Sequence, residues 1–186
     1  LALRVGCQEV QLLPLFLLPG VHVMEDIPAE AAQAQANLGD SITLNLQPYL
    51  GANPGLGRML AKQSSLVETD AKILLAHGSS RAGVNEPVGM VAEQLGAVAA
   101  YWFMSPTLKE QLIVLADEGY QQITIVPYFL FPGEITDAIA QMVANLQGQF
   151  PQLLLRLGEP IGVSVELAKL VVDLVHSVSP LVGNRE

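Results

Sequence analysis

Apolar and polar positions recur along the chain at strand-like and helix-like spacings, and the switches between them mark out the elements. Lys72 to Ala76 is a short apolar run that reads as a strand. Asn85 to Leu95 carries an apolar stripe, Val88, Val91, Ala92 and Leu95, and reads as a helix with Pro87 near its start and Gly96 at its end. Val98 to Phe103 reads as a second strand. Ser105 is expected to cap the next helix, with Pro106 in its first turn, Leu108, Leu112 and Leu115 on its core face, and Gly119 as its stop. Ile123 to Phe131 is a third predicted strand and Leu153 to Leu157 a fourth. Ile135, Ile139, Met142, Val143 and Leu146 stripe the helix between them, and Val163 to Val178 forms a last helix. The order βαβαβαβα predicts an α/β fold, a parallel sheet covered by helices on both faces.

Part of this pattern occurs twice. Gly6 to Gly20 lies over Gly119 to Gly133 at an offset of 113, and seven of these 15 positions are identical: Gly6/Gly119, Gln8/Gln121, Pro14/Pro127, Phe16/Phe129, Leu17/Leu130, Pro19/Pro132 and Gly20/Gly133. Chance would supply roughly one. The match resumes at Gly51/Gly162 and Leu56/Leu167 with the offset reduced to 111. The chain therefore holds two copies of one unit. Val10 to Leu18 matches the third strand of the complete copy and Ile42 to Gln47 the fourth. We expect a partial first half over 1–66 and a complete second half over 67–186, joined by the polar stretch Gln63 to Asp70. The chain opens inside a helix-like stretch, and the repeat places about 45 further residues ahead of Leu1. The Val10 to Leu18 strand is long, apolar and uncharged, an association hazard if its edge is bare, so self-association or instability is expected of the chain without those elements.

Composition narrows the function classes. With 186 residues, the chain suffices for one large domain or two small ones. A net charge of −9 disfavours nucleic acid and anionic membranes. Apolar residues at 51% and charged residues at 15% describe a chain that fills a real core. The most apolar run, Val10 to Pro19, is about half the roughly 20 residues of a membrane helix, so it reads as a strand buried on both faces. One cysteine, Cys7, excludes a disulfide scaffold and a multi-cysteine zinc site, and suits a reducing, cytoplasmic setting.

Three histidines are candidates for chemistry. His77 lies in Leu74-Leu-Ala-His-Gly-Ser-Ser80 at the C-terminal end of a predicted parallel strand, where open α/β sheets place their ligands. His22 lies in Pro19-Gly-Val-His-Val-Met-Glu-Asp26, again past a strand end and at the opening of a helix. His176 reads as a surface residue of the last helix. Glu25 and Asp26 either bind a metal or stabilise the helix dipole. Cys7 is either a soft metal ligand or a buried thiol. Dinucleotide and phosphate-loop signatures, the nucleophile elbow and His-Glu-x-x-His are absent. Histidine phosphatases use Arg-His-Gly, whereas Ala76 precedes His77 here.

The pairing of Leu75-Ala-His-Gly-Ser79 with Pro14-Leu-Phe-Leu-Leu-Pro-Gly-Val-His-Val-Met-Glu-Asp-Ile-Pro28 resembles the CbiX-type class II chelatases, the sirohydrochlorin cobaltochelatases and ferrochelatases that include the SirB group. The likeness runs from about Gly6 to Val178. It implies two small α/β halves with four-stranded parallel sheets, facing each other across a cleft. It also implies insertion of a divalent metal, cobalt or ferrous iron, into a tetrapyrrole, with no cofactor beyond that metal. In the family one half supplies a His from the His-Gly-Ser strand end, a Glu after the second strand and a His from the Pro-Gly-x-His turn. His22 matches that last histidine, which makes it the implied metal ligand and a catalytic residue; its two partners would lie ahead of Leu1. His77 matches the His-Gly-Ser histidine of the second half. There the Glu region reads Tyr101-Trp-Phe-Met-Ser-Pro106 and the second histidine's position is Ile135. The second half thus resembles a copy that lost its metal site, and His77 is either a relic or a catalytic residue lining the cleft from the far side. The polycarboxylate substrate implies cationic contacts, for which Arg81, Arg58 and Lys62 are candidates; each also reads as a solvated surface charge. The competing expectations are a domain that binds tetrapyrrole or metal without catalysis, and an inactive fragment.

Overall fold

The computed structural model describes residues 6–64 and 69–177. The helix-like opening of the chain, residues 65–68 of the expected linker and Val178 of the last expected helix lie outside them. In chain order the elements are β1 (Glu9–Leu12), a π-helical turn (His22–Asp26), α1 (Ile27–Leu38), β2 (Thr43–Leu46), α2 (Pro54–Ser64), β3 (Ala71–Ala76), α3 (Glu86–Leu95), β4 (Val98–Tyr101), α4 (Leu108–Asp117), β5 (Gln122–Pro127), α5 (Glu134–Gln149), β6 (Leu154–Leu157) and α6 (Val165–Ser177).

The second copy forms a four-stranded sheet in the order β4-β3-β5-β6, with every pairing parallel. Parallel neighbours need crossovers, and α3, α4 and α5 supply them. The α3 stripe is buried as the sequence predicts, and Gly96 ends that helix in the left-handed region. On the sheet, Ile73 and Leu75 of β3 and Ile123 and Ile125 of β5 pack with Leu112 of α4 and Ile139 of α5. In the first copy β1 pairs with β2, also in parallel. The register repeats as well: Leu12 faces Leu46 as Ile125 faces Leu157, at the offsets of 113 and 111 that relate the two sequences. No helix among the described residues is long and apolar enough to cross a membrane.

Two sequence expectations need correction. The strands are shorter than their apolar runs. β5 stops at Pro127 instead of Phe131, β1 at Leu12 instead of Leu18, and β4 at Tyr101 instead of Phe103. Pro14 and its equivalent Pro127 carry no N–H for a ladder, so the chain leaves the sheet there. Leu15 and Phe16 beyond β1 are exposed, so this run is not a strand buried on both faces. The second correction concerns α4, whose cap is Thr107 and not Ser105. Thr107 Oγ1 accepts from Glu110 N (3.3 Å), and Glu110 Oε2 accepts from Thr107 N (2.7 Å). This reciprocal box satisfies two helix-end donors, which Ser105 could not do from its position. Ser105 instead donates its hydroxyl to Glu110 Oε2 at 2.9 Å.

Thr107→Ala is expected to cost about 1 kcal/mol in urea unfolding. The Thr107 backbone N–H, followed by the Ser105 and Thr107 hydroxyls, holds the Glu110 carboxyl below the usual carboxylate range. Its stabilisation is therefore fully present above the unfolded-chain pKa and is lost as the pH falls through the lowered folded value. A urea titration repeated in acid checks this, since the gap between wild type and Thr107→Ala should narrow there.

Backbone contacts divide the chain into one unit of Leu1–Asn53 with Val165–Glu186 and another of Pro54–Ser164. The two sequence copies are divided differently, at 66/67. By contacts α2, the end of the first copy, counts with the second unit, and α6, the end of the second copy, counts with the first.

Candidate functional site

In the first unit the chain leaves β1 through the loop Pro14 to Gly20. Two backbone bonds tie that loop down, from Leu50 N to Pro14 O (3.0 Å) and from Gly51 N to Phe16 O (2.9 Å). Gly20 O then accepts from Val23 N and Met24 N, which starts the helical winding. The first turn is π-helical and closes with Ile27 N donating to His22 O. A π turn takes up one residue more than an α turn and often accompanies a functional site. The second copy winds as regular α5 at this place. The fall in offset from 113 to 111 means that the first copy carries two more residues between Gly20 and Gly51 than the second does between Gly133 and Gly162. The π turn accounts for one of them.

His22 sits on this turn with 74% of its side chain exposed, and its Nδ1 lies 2.6 Å from Asp26 Oδ2. The carboxylate only accepts, so with a neutral ring Nδ1–H donates to it and the Nε2 lone pair faces outward. A histidine that ligates a metal commonly gives its other N–H to a carboxylate in this way. The ring of Phe16 lies 6.3 Å from the imidazole. Asp26 as partner of His22 is the residue that sequence reasoning missed. The i, i+4 spacing at a helix opening was the available signal.

In the second unit His77 follows β3 directly and is exposed. Its Nδ1 lies 3.1 Å from Gly78 O. Gly78 has φ +85°, and a Cβ there would meet Tyr101 Cβ at 2.9 Å and Met104 Cγ at 3.0 Å, so the turn that carries His77 requires glycine. Asn85 clamps the same turn: its Nδ2 donates to Ser79 O (2.8 Å) and its Oδ1 accepts from Ser79 N (2.9 Å). The Phe103 ring lies 4.9 Å from that of His77, tilted by 56°.

Of the other candidates, Arg81 is exposed on the His77 loop, while Arg58 and Lys62 are exposed on α2. His176 is exposed as expected, with Nδ1 2.8 Å from Val172 O of its own helix. Cys7 is half-buried and its thiol donates to Glu9 O. Among the described residues no three His, Cys, Asp or Glu side chains gather in a group that could hold a metal. The geometry brings together His22 with Asp26 and His77 with Phe103, each pair in its own unit.

The CbiX family model matches residues 2–66 and 71–178. The chain is similar to the sirohydrochlorin ferrochelatase of Priestia megaterium, at 25% identity over 92% of this chain and 70% of that protein. The sirohydrochlorin cobaltochelatase of the same organism is 24% identical over 90% of this chain and 60% of its own. Among solved structures, SirB from Bacillus subtilis with Fe3+ superposes with a TM-score of 0.76 at 22% identity, covering 95% of this chain and 75% of that one, a likeness of fold. The cobalamin biosynthesis CbiX protein of Marinobacter aquaeolei VT8 is 32% identical with a TM-score of 0.52, over 57% of this chain and 92% of that one.

Proposed function

The chain belongs to the CbiX family, and from that premise we propose that it inserts ferrous or cobaltous ion into sirohydrochlorin. The observation that carries this reading is the exposed His22 imidazole, held through Nδ1 by Asp26 so that Nε2 is presented to solvent. Neutral imidazole binds either ion at moderate affinity and can release it again. Insertion also requires two pyrrole N–H protons to leave. As the metal passes to the macrocycle, His22 Nε2 is free to take one of them, with Asp26 stabilising the imidazolium that results, and the second proton leaves to solvent. His77 is the catalytic candidate of the second unit, and Arg81 and Arg58 are assigned to the carboxylates of the substrate. We assign no cofactor beyond the metal, which is a substrate, no nucleic-acid partner, and a cytoplasmic setting in keeping with the single cysteine.

One observation favours a second reading, a domain that holds tetrapyrrole or metal without turning over: no cluster of three ligating side chains occurs among the described residues. An anaerobic assay separates the two. Sirohydrochlorin with ferrous or cobaltous ion should give the metallated absorbance spectrum at a rate proportional to protein. Binding without turnover would select the second reading, and neither binding nor turnover would remove both.

The Asp26→Asn variant tests the site itself. An amide can donate to Nδ1 and so favour the tautomer with Nε2 protonated, which cannot ligate. Cobaltous affinity by calorimetry should fall about 10- to 100-fold. An unchanged affinity would reduce the pair to a local contact at the helix opening.

A further inference from the structure

Asn85 opens α3 with a side chain well suited to cap a helix, yet it makes no capping bond there. Its polar atoms point back at the His77 turn instead. Oδ1 accepts from Ser79 N (2.9 Å), and Nδ2 donates to Ser79 O (2.8 Å) and to Met104 Sδ (3.3 Å). These partners fix which end of the amide is which, since a reversed amide would aim N–H at N–H and oxygen at two acceptors. Helix stability alone does not ask for this arrangement, because it withholds from the first turn of α3 the acceptor that a cap supplies.

The bond to Ser79 N reaches beyond the turn. Ser79 N–H and the Gly78 carbonyl belong to one planar peptide unit. Holding the N–H therefore sets the direction of Gly78 O, and that oxygen faces His77 Nδ1 at 3.1 Å. A carbonyl only accepts, so Nδ1 carries the proton and Nε2 keeps its lone pair. Among the described residues Nε2 has no hydrogen-bond partner. His22 reaches the same state by other means, with Nδ1 held by the Asp26 carboxylate. An imidazole left to water favours the proton on Nε2, so each unit places an acceptor that reverses this preference.

We propose that Asn85 is a positioning residue that fixes the tautomer of His77: through the Gly78–Ser79 peptide it keeps Nδ1 protonated and Nε2 open. The tautomer follows from the geometry of this turn alone. Its effect on turnover rests on the chelatase reading, with His77 as the catalytic candidate of the second unit.

The test is a long-range proton–nitrogen correlation spectrum of the isotope-labelled full chain, at a pH where imidazole is neutral, with His77→Ala identifying the His77 signals. Wild type should show the Nδ1–H form. Asn85→Ser can cap α3 but is too short to hold Ser79 as the amide does, so His77 should move toward the Nε2–H form while the His22 signals stay in place. Asn85→Asp keeps an acceptor for Ser79 N and loses the donor to Ser79 O. It should lower the urea midpoint yet retain the wild-type tautomer. In turnover Asn85→Ser should lower kcat about tenfold with KM near wild type. The same change in a His77→Ala background should lower it no further. An unchanged His77 tautomer in Asn85→Ser would overturn the proposal, as would loss of that tautomer in folded Asn85→Asp. So would an equal loss of turnover on both backgrounds, which would make Asn85 a clamp for the fold only. The expected tautomer shift in a chain whose wild type has no turnover would instead remove the chelatase reading and leave the positioning role standing.

Discussion

His22→Ala is expected to lower metal insertion by at least about a hundredfold while leaving the fold intact. The side chain is 74% exposed, so its removal opens no cavity, and surface changes of that kind usually stay within about 0.5 kcal/mol. On the chelatase reading proposed above, what is lost is the nitrogen assigned to take the metal and receive a pyrrole proton. His77→Ala should cost less, because His77 rests on Gly78 O and the Phe103 ring, whereas the His22 imidazole is oriented by a carboxylate. Insertion rates at matched protein level, with far-UV circular dichroism as the folding check, rank the two variants. A deeper loss at His77 would move the metal chemistry to the second unit.

The largest effect on stability is expected at Gly51. A Cβ there would overlap the Leu17 main chain, with the carbonyl oxygen nearest. Main chain cannot swing aside, and Gly51 N also donates to Phe16 O at 2.9 Å. Gly51→Ala must push the loop outward and should cost about 3 kcal/mol, the upper part of the usual range for overpacking. Gly57 provides the contrast, since a Cβ there meets only the end of the Gln94 side chain, which can turn away. Because the Pro14 to Gly20 loop that Gly51 holds leads to His22, Gly51→Ala should weaken cobaltous binding and lower the urea midpoint together, whereas Gly57→Ala should do neither. A Gly51→Ala protein as stable as wild type would mean that the loop relaxes freely and does not set the position of His22.

The contrast between what the sequence predicts and what the fold contains follows from what periodicity measures. Val88, Val91, Ala92 and Leu95 recur at helical spacing because one face of α3 is buried, and burial is what the pattern records. The repeat carried further, down to the register of β1 on β2. Apolar residues beyond the strand ends defeat the same reasoning. Leu15, Phe16, Phe103 and Phe131 extend the apolar runs past the strand ends, yet they lie in solvent. The position of His22 is legible from its turn motif and the i, i+4 spacing to Asp26 stands beside it, but the spacing alone does not fix the bond. That bond depends on a local winding that residue identity does not encode. Ser105 shows the same limit on a smaller scale: it has the right chemistry for a cap, and Thr107 prevails because Glu110 sits three residues on.

The π turn has no counterpart in α5, and this sets what it would take to place the His22–Asp26 pair in the second unit. A histidine placed at Ile135 by a single substitution would not create the pair, because the residue four positions on is Ile139, which is buried in the core at 1% exposure. A carboxylate there would be placed among Leu112, Val143 and Leu146 without a partner, at a cost of several kcal/mol. The surface carboxylate of the first copy is tied to an added residue in the helix, and point mutation does not supply one. Transfer of the pair therefore needs an inserted residue together with a histidine at Ile135 and a carboxylate in place of Ala138, which the insertion would bring four positions on. Substitution-only libraries of the second unit should therefore return no histidine–carboxylate pair of the His22–Asp26 kind.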